Sequence, residues 1–573
     1  MYKAFFLAIF SVLLCRDGTH GQLQPADGVA LNHTQVMFEH PVHNGAVYYI
    51  LHIYPANGNH TTQLTIKTQA PAHLVKTGLS FGEAYQWYYE AWGNTKKLYQ
   101  SNVFSFSIPL LMQADTNLYR FTITQKNEGA IRDGIVFFDN PGVAIDRNGK
   151  VVWVLPLDSS ENLSRDKVRN LHFTPFQTAM YLLNGDAAEK SLNGQVLWKT
   201  PTKTGTAGVG KDVFHHDCRK LSDGSYLMCN YRYEWEPCLY APKDTCQIRY
   251  NTMLQFNANG KTDWYWNEKG HVKNNDIFPA SAPTQRLLEG THMNGFDYNE
   301  KEGTIIMSFR NNSRIIKVDK KSGRLLWELT PLANRTGDIY FENQHGVSFT
   351  GDGGILVYNN SGLRLPLDEK EKDIAWPTIL LLKEPANGGT PVLVWEYECV
   401  SAAYPKGVRG KEGYAQEIAG QNGPHILVCM GGANRSFEVT RQKQIVWECF
   451  PQQYDAAKAL WRPLNSYRNH FANSLYPYYL YVQPISPRAI KNKLDLTLFN
   501  CGSEADTYLI ELADSDKGRF SASNIKVNVK AGNSTVVNFS FVPIRTAKKP
   551  TSIKIMVRSQ NSPAVKKVVD FWL

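Results

Sequence analysis

The sequence predicts an all-β protein: a six-bladed β-propeller flanked by an N-terminal β-sandwich and a C-terminal immunoglobulin-like β-sandwich. Three observations predict it. A polar turn followed by an apolar strand ending in Trp recurs six times, closing at Trp153, Trp198, Trp266, Trp327, Trp395 and Trp447. Hairpin repeats spaced 45 to 68 residues apart are a signature of propeller blades. Short strands separated by turn signals lie on both sides of the repeats, and long helical periodicity is absent.

The elements follow in order. Residues 1–21 read as an export leader: Lys3 gives the basic start, Ala4 to Leu14 the apolar stretch, and Thr19 and Gly21 the small cleavage residues. The mature chain then starts near Gln22, and the protein is expected to be secreted or extracellular, or periplasmic in a bacterium. No later apolar run reaches ~18 residues, so no transmembrane segment is expected. Residues 22–115 carry alternating strands such as VYYILHIYP and form the first sandwich. Residues 116–470 hold the blades. The stretch from Tyr454 to Tyr467 is the best helix candidate and marks the exit from the propeller. Residues 485–573 restart short strands (LDLTLFN, STVVNFSFVP, KKVVDFWL) and form the last sandwich.

Aromatic residues at 12% and charged residues at 20% fit a folded β-rich chain. The net charge is +10, and losing Lys3, Arg16 and Asp17 with the leader lowers it by one. The basic residues are scattered rather than clustered. That argues against a nucleic-acid partner and allows a face that favours small anions. Eight cysteines follow the leader, an even number that favours disulfides in an exported chain. In HDCRKLSDGSYLMC, a two-residue turn at Asp223-Gly224 sets Cys218 opposite Cys229, near disulfide reach. Cys238 and Cys246 bracket a short loop and are a second candidate pair. Cys399, Cys429, Cys449 and Cys501 have three pairings open to them. Nine sequons, at Asn32, Asn59, Asn162, Asn311, Asn334, Asn359, Asn434, Asn533 and Asn538, fit a glycoprotein.

A propeller has an axis, and residues at one register of successive inner strands converge on it. His216 and His345 each stand seven residues before the Asp of an Asp-Gly turn. His292 stands ten residues before Glu302-Gly303, and His172 leads a looser match. A single histidine there is most simply a hydrogen-bonded structural residue. A histidine repeated at a register facing a funnel points instead to a metal site or to nucleophilic or acid–base chemistry. Asn294 follows His292, and Arg310 ends the same blade's second strand. Arginine is a forked permanent cation suited to oxyanions, so these neighbours favour an anion over a metal. GTAGVGKD at 205–212 imitates a phosphate loop but lacks the following Ser/Thr and the strand–helix setting.

The stretch THMNGFDYNEKEGTIIMSFRNNSRIIKVDKKSGRLLWEL resembles the arylsulfate sulfotransferases, which are six-bladed propellers preceded by a β-sandwich. ENQHGVSFTGDGGILVYNN, FHHDCRKLSDGSYLM and SFEVTRQKQIVWE are similar to further motifs of that family. The resemblance covers most of residues 30–450 and leaves the C-terminal sandwich unexplained. It implies transfer of a sulfuryl group from an aryl sulfate donor to a phenolic acceptor, by a ping-pong route through a sulfated histidine, with no cofactor and no metal. It implies His345 as nucleophile and His216, His292, Asn294 and Arg310 as partners of the sulfate and phenol oxygens, with His215 as the alternative to His216. The family includes dimers, so a homodimer is an expectation although no interface is legible. YNNSGLR departs from the acidic residue that relatives carry before Asn. Glycans at Asn311 or Asn359 would block the funnel, so both are expected to be bare. The other reading is a non-catalytic extracellular propeller that binds matrix or carbohydrate.

Overall fold

The computed structural model describes residues 23–58, 64–201, 213–238, 241–271, 287–330, 339–360, 376–386, 388–402, 412–485, 493–512, 524–540 and 552–572. The leader, the cleavage position, Asn59, Asn334 and the loop 205–212 lie outside these residues. Strands dominate, and the α-helix among the described residues is the four-residue Ser159–Asn162.

Six antiparallel sheets follow one another between residues 135 and 472. Their innermost strands, in order, are Asn469–Ala472, Arg169–Phe173, Phe214–Lys220, Met293–Asn299, Val347–Phe349 and Tyr414–Gly420. Each touches the next, and Tyr414–Gly420 touches Asn469–Ala472. The arrangement is propeller-like. The first sheet is composite: Ile135–Phe138, Val143–Asp146 and Val151–Val154 accept their inner strand, Asn469–Ala472, from more than 300 residues later in the chain. Tyr119–Lys126 lies against Ile445–Asp455 of the sixth sheet.

The repeated Trp lies on the fourth strand of every sheet, beside a register shift against the third. In the third sheet that place belongs to Trp264 rather than Trp266, because Trp264 is the residue paired with Gln255 at the shift. The indole N–H donors explain the repeat. Trp153 donates to Leu192 O at 3.1 Å, Trp264 to Lys320 O at 2.8 Å and Trp395 to Arg441 O at 2.8 Å, each in the following sheet. Trp447 of the sixth sheet donates to Arg147 O of the first at 3.0 Å. Its ring also carries the Arg147 guanidinium, 4.4 Å from the centroid, and Arg147 pairs with buried Glu438. These four indoles therefore fill the gap between two sheets and satisfy a turn carbonyl that packing would otherwise leave dry, whereas Trp327 Nε1 is buried without such an acceptor among the described residues.

Three expectations fail here. The Tyr454–Tyr467 segment is no helix. Its local helix formers sit in a hairpin in which Asp455 pairs with Leu460 and Gln452 with Pro463. The turn is closed by the Asp455 carboxylate on the Ala457 amide and by Ala459 in the left-handed region, at φ 50°. Strand pairing on the edge of the sixth sheet overrides propensity. The Cys218–Cys229 pairing also fails. Lys220 pairs with Tyr226, so residues 221–225 form the loop and Cys218 faces Met228. A slip of one residue sends the two thiols to opposite faces, and each is free in a different apolar core. Cys399, Cys429, Cys449 and Cys501 are likewise buried and free, so none of their three pairings forms. Cys246 is disulfide-bonded.

At the N-terminal side, a sheet led by Tyr48–Pro55 and Glu83–Trp92 and a two-stranded sheet, Val36–Glu39 with Ala72–Val75, share a core around Trp87, Phe38 and Phe106. At the C-terminal side, Lys493–Asn500 and its neighbours face Asp506–Leu512 and its neighbours across Leu496, Leu498, Tyr508 and Ile510. Met37 and Ala72 pack on Tyr481, Phe499 and Cys501, which joins the two flanks.

Candidate active site

Backbone geometry turns the histidines toward the centre of the ring. His216, third in its inner strand, and His292, immediately before its own, both lie in the left-handed region, at φ 56°. Residues with side chains adopt that region rarely, and histidine is among those enriched there. In the second sheet the same kind of left-handed slot is held by Asn170, at φ 52°. His172, two residues further along, consequently emerges at the opposite mouth, its ring 5.4 Å from that of His470. The fourth member of the sequence pattern thus belongs to a different place.

His216 meets His292 at 4.8 Å between ring centroids and His345 at 6.2 Å. Tyr467 closes the group, 5.0 Å from His345 and 6.0 Å from His216. The Nδ1 atoms of His215 and His216 lie 2.7 Å apart, so one must donate to the other. His215 stacks on Tyr231 at 3.7 Å and supports His216 from behind. His345 lies 2.8 Å through Nδ1 from the carbonyl oxygen of Gly413. An oxygen acceptor there fixes the proton on Nδ1 and leaves the lone pair on Nε2. Gly413 is required at that point: its φ is 108°, and a Cβ would meet the Tyr358 ring at 2.4 Å.

Electrostatics keep these rings neutral. Burial, then the Arg468 guanidinium, push His345 down to about 3. Burial, then Arg310, push His292 down to about 4. Burial, then His215, hold His216 well below its ordinary value. Arg310 itself bonds Asn311 Oδ1 through Nη1 at 3.3 Å, and its amide donates to His292 O at 2.9 Å.

Asn294 departs from the expected role. Its side chain is fully buried, with Nδ2 donating to Gln344 O at 2.7 Å and Oδ1 facing the Gly346 amide at 3.5 Å. It holds the backbone on both sides of His345. Asn359 and Asn360 of the departing motif do related work. Asn359 Oδ1 accepts from the Glu342 amide at 3.0 Å, and Asn360 Nδ2 donates to Asn343 O at 2.8 Å. Asn359 is 1% exposed, which leaves no room for a glycan, whereas Asn311 is exposed.

Two residues were missed in the sequence. Arg468 is fully buried at the centre, donating to Asp217 Oδ2 and to Asn294 O, both at 2.7 Å. Its charge faces the Tyr414 and Tyr467 rings at 4.8 and 5.5 Å. Tyr467 brings a buried hydroxyl that has no hydrogen-bond partner among the described residues. Both precede the inner strand that closes the first sheet. Recognising 469–472 as that strand would have located them.

Inter-sheet carboxylates hold the centre rigid. Asp139 accepts from the Asn170 amide at 3.0 Å, Asp217 from Phe296 at 3.1 Å and Asp297 from Phe349 at 2.8 Å. A cavity of about 260 Å³ opens beside His216 and Tyr467, walled by Leu182, Leu183 and Phe214. Among the described residues, no group of three His, Cys, Asp or Glu is arranged to hold a metal ion. No helix among them is long and apolar enough to cross a membrane.

Residues 121–375 match the model of the arylsulfotransferase (ASST) family. No curated protein matches the chain. Among solved structures, a protein of unknown function from Bacteroides caccae is 16% identical, with a TM-score of 0.33, over 58% of this chain and 99% of its own. The β-propeller domain of Cps50 (Swd1) from Myceliophteria thermophila is 10% identical, with a TM-score of 0.29, over 57% of this chain and 89% of its own.

Proposed function

We infer, from the match of residues 121–375 to the arylsulfotransferase family model, that the protein moves a sulfuryl group from an aryl sulfate to a phenol through a sulfated His345. The six sheets form a closed six-bladed propeller between two β-sandwiches, exported by way of the leader, with the reaction at the mouth that holds His216, His292 and His345. The supporting observation is the orientation of His345, whose Nδ1 is engaged by Gly413 O so that a neutral Nε2 is left as nucleophile.

In the first half-reaction Nε2 attacks sulfur. The N–S bond forms as the S–O(aryl) bond breaks, and the phenolate leaves with the electron pair. Its charge is met by Arg310 and by the N–H donors of His216 and His292, and a proton from water completes the phenol. In the second half-reaction an acceptor phenol gives its proton to a neighbouring neutral imidazole. Its oxygen forms the new S–O bond, and the N–S bond breaks. The depressed pKa values suit this cycle, because imidazole attacks only when deprotonated. A bound sulfate raises those values again through its charge, which lets a neighbouring histidine take the acceptor's proton.

Brief exposure to an aryl sulfate should add one sulfuryl group to the intact mass, mapped to the His345 peptide. An unchanged mass, or full transfer by His345→Ala, would refute the reading.

A further inference from the structure

We propose that the aryl substrate of this site carries a second anionic group, bound by Lys167 and Arg169 at the rim of the cavity beside His216. The proposal rests on the sulfotransferase reading and names the class of phenol it uses.

The cavity pairs two environments. Its walls, Leu182, Leu183 and Phe214, are apolar and well buried, and the Tyr467 ring forms part of the lining. Such a slot takes an aromatic ring by area burial and by ring–ring contact. Among the described residues its rim carries two cations, Lys167 and Arg169, and no Asp or Glu. Arg169 Nη1 donates to the carbonyls of Asp166 and Val168, at 2.7 and 2.9 Å. Both acceptors are uncharged, and among the described residues no carboxylate bonds the guanidinium. Asp139 feels its charge, yet the Asp139 oxygens are already occupied by Ser466 Oγ and the amides of Asn170, Tyr467 and Arg468. Arg169 also leans toward the Tyr467 ring, 5.8 Å from the centroid. Lys167 is exposed and makes no ion pair among the described residues.

The opposite mouth supplies the control. Its cavity, about 280 Å³, also has two cations on its lining, Arg219 and Lys220. There each cation is neutralised: Arg219 by Asp297 at 2.8 Å and Lys220 by Glu189 at 2.8 Å. Cations that meet no carboxylate among the described residues, next to an aryl-sized slot, match a ligand that brings its own negative charge. The reacting sulfate is held by Arg310 and the histidines, so the rim charge is free for a second group such as a carboxylate.

The test is calorimetric titration of the full chain with 4-hydroxybenzoate and with phenol, in the absence of donor. The carboxylated phenol should bind about tenfold more tightly, with the gap narrowing at high salt. Lys167→Glu and Arg169→Gln should each reduce the ratio of the two affinities, and Lys167, being exposed, is not needed for folding. Equal affinities, or a ratio unmoved by both variants, would overturn the proposal. Transfer assays separate the two readings. Preferential binding without any transfer would sink the sulfotransferase reading and leave the anion subsite standing. Transfer with equal kcat/KM for both phenols would do the reverse.

Discussion

The two mouths of the ring are built from the same kinds of residue and differ in which groups are left unsatisfied. At one, His216, His292 and His345 gather with Arg310 and with Tyr467, whose hydroxyl is buried and unpartnered. At the other, His172 and His470 are both tied to Asn170, through its carbonyl and side-chain oxygens at 2.9 Å, and Arg219 is paired with Asp297. Between them lies the buried Arg468–Asp217 pair. Histidine count alone therefore does not identify a reactive site. What distinguishes the two ends is that one has its arginine paired with a carboxylate, whereas among the described residues Arg310 at the other has none.

The contrast breaks most sharply at the nucleophile. His345→Ala should lower turnover by at least roughly 10³-fold, whereas a His172→Ala, His470→Ala double variant should stay within about threefold of the wild type in the same aryl sulfate assay. A comparable loss from the double variant would mean that the chemistry sits at the wrong end.

Arg310→Ala should cost about 10²–10³ in kcat, the usual loss for one oxyanion partner. The fold should be retained, because among the described residues the Arg310 side chain hydrogen-bonds only its neighbour Asn311. Circular dichroism alongside the rates checks both halves. Arg468→Met acts differently. It strands Asp217 in the dry centre and should destabilise the fold by about 3–5 kcal/mol in urea unfolding.

Trp447→Ala should cost about 3–5 kcal/mol, the range for removing a large buried aromatic. It opens the seam where the sixth sheet meets the first. Trp266→Ala should cost less than Trp264→Ala if the inter-sheet hydrogen bond, rather than burial alone, makes the repeated indole important.

The smallest effects come from pH. The folded pKa values of His345, His292 and His172 are depressed to about 3, 4 and 4. The unfolded chain titrates near 6.5 and binds more protons below that value. Stability from these groups is therefore complete above about pH 6.5 and falls as pH drops toward 4. For the same reason kcat/KM should stay level below pH 6.5, with its acid limb near 3 to 4 rather than at the ordinary imidazole value. A limb at 6.5 would place the nucleophile in a wetter setting than the one described.

Much was legible in one dimension. The Trp repeat gave the number of sheets, because an indole bridging two sheets must recur once per sheet. The histidine register put His216, His292 and His345 together, because residues at one register of successive inner strands share an axis. Other features were not legible. Trp264 and Trp266 are two residues apart on one strand and indistinguishable until a bulge fixes the register. The Cys218–Cys229 error came from a loop of odd length, which sequence does not reveal when Asp-Gly invites a two-residue turn. Asn294 looked like an anion ligand because nothing in the sequence shows that its amide is already taken by Gln344.

The sequence by itself determined the all-β character, the repeat and the residue types available for chemistry, since periodicity and turn chemistry are local properties of the chain. Tertiary structure alone decided which histidine went to which mouth, brought Tyr467 and Arg468, just ahead of the strand that completes the first sheet, to the centre of the ring, and left some cations paired and others bare. Those outcomes depend on distances between residues hundreds of positions apart, and only the packed sheets set those distances.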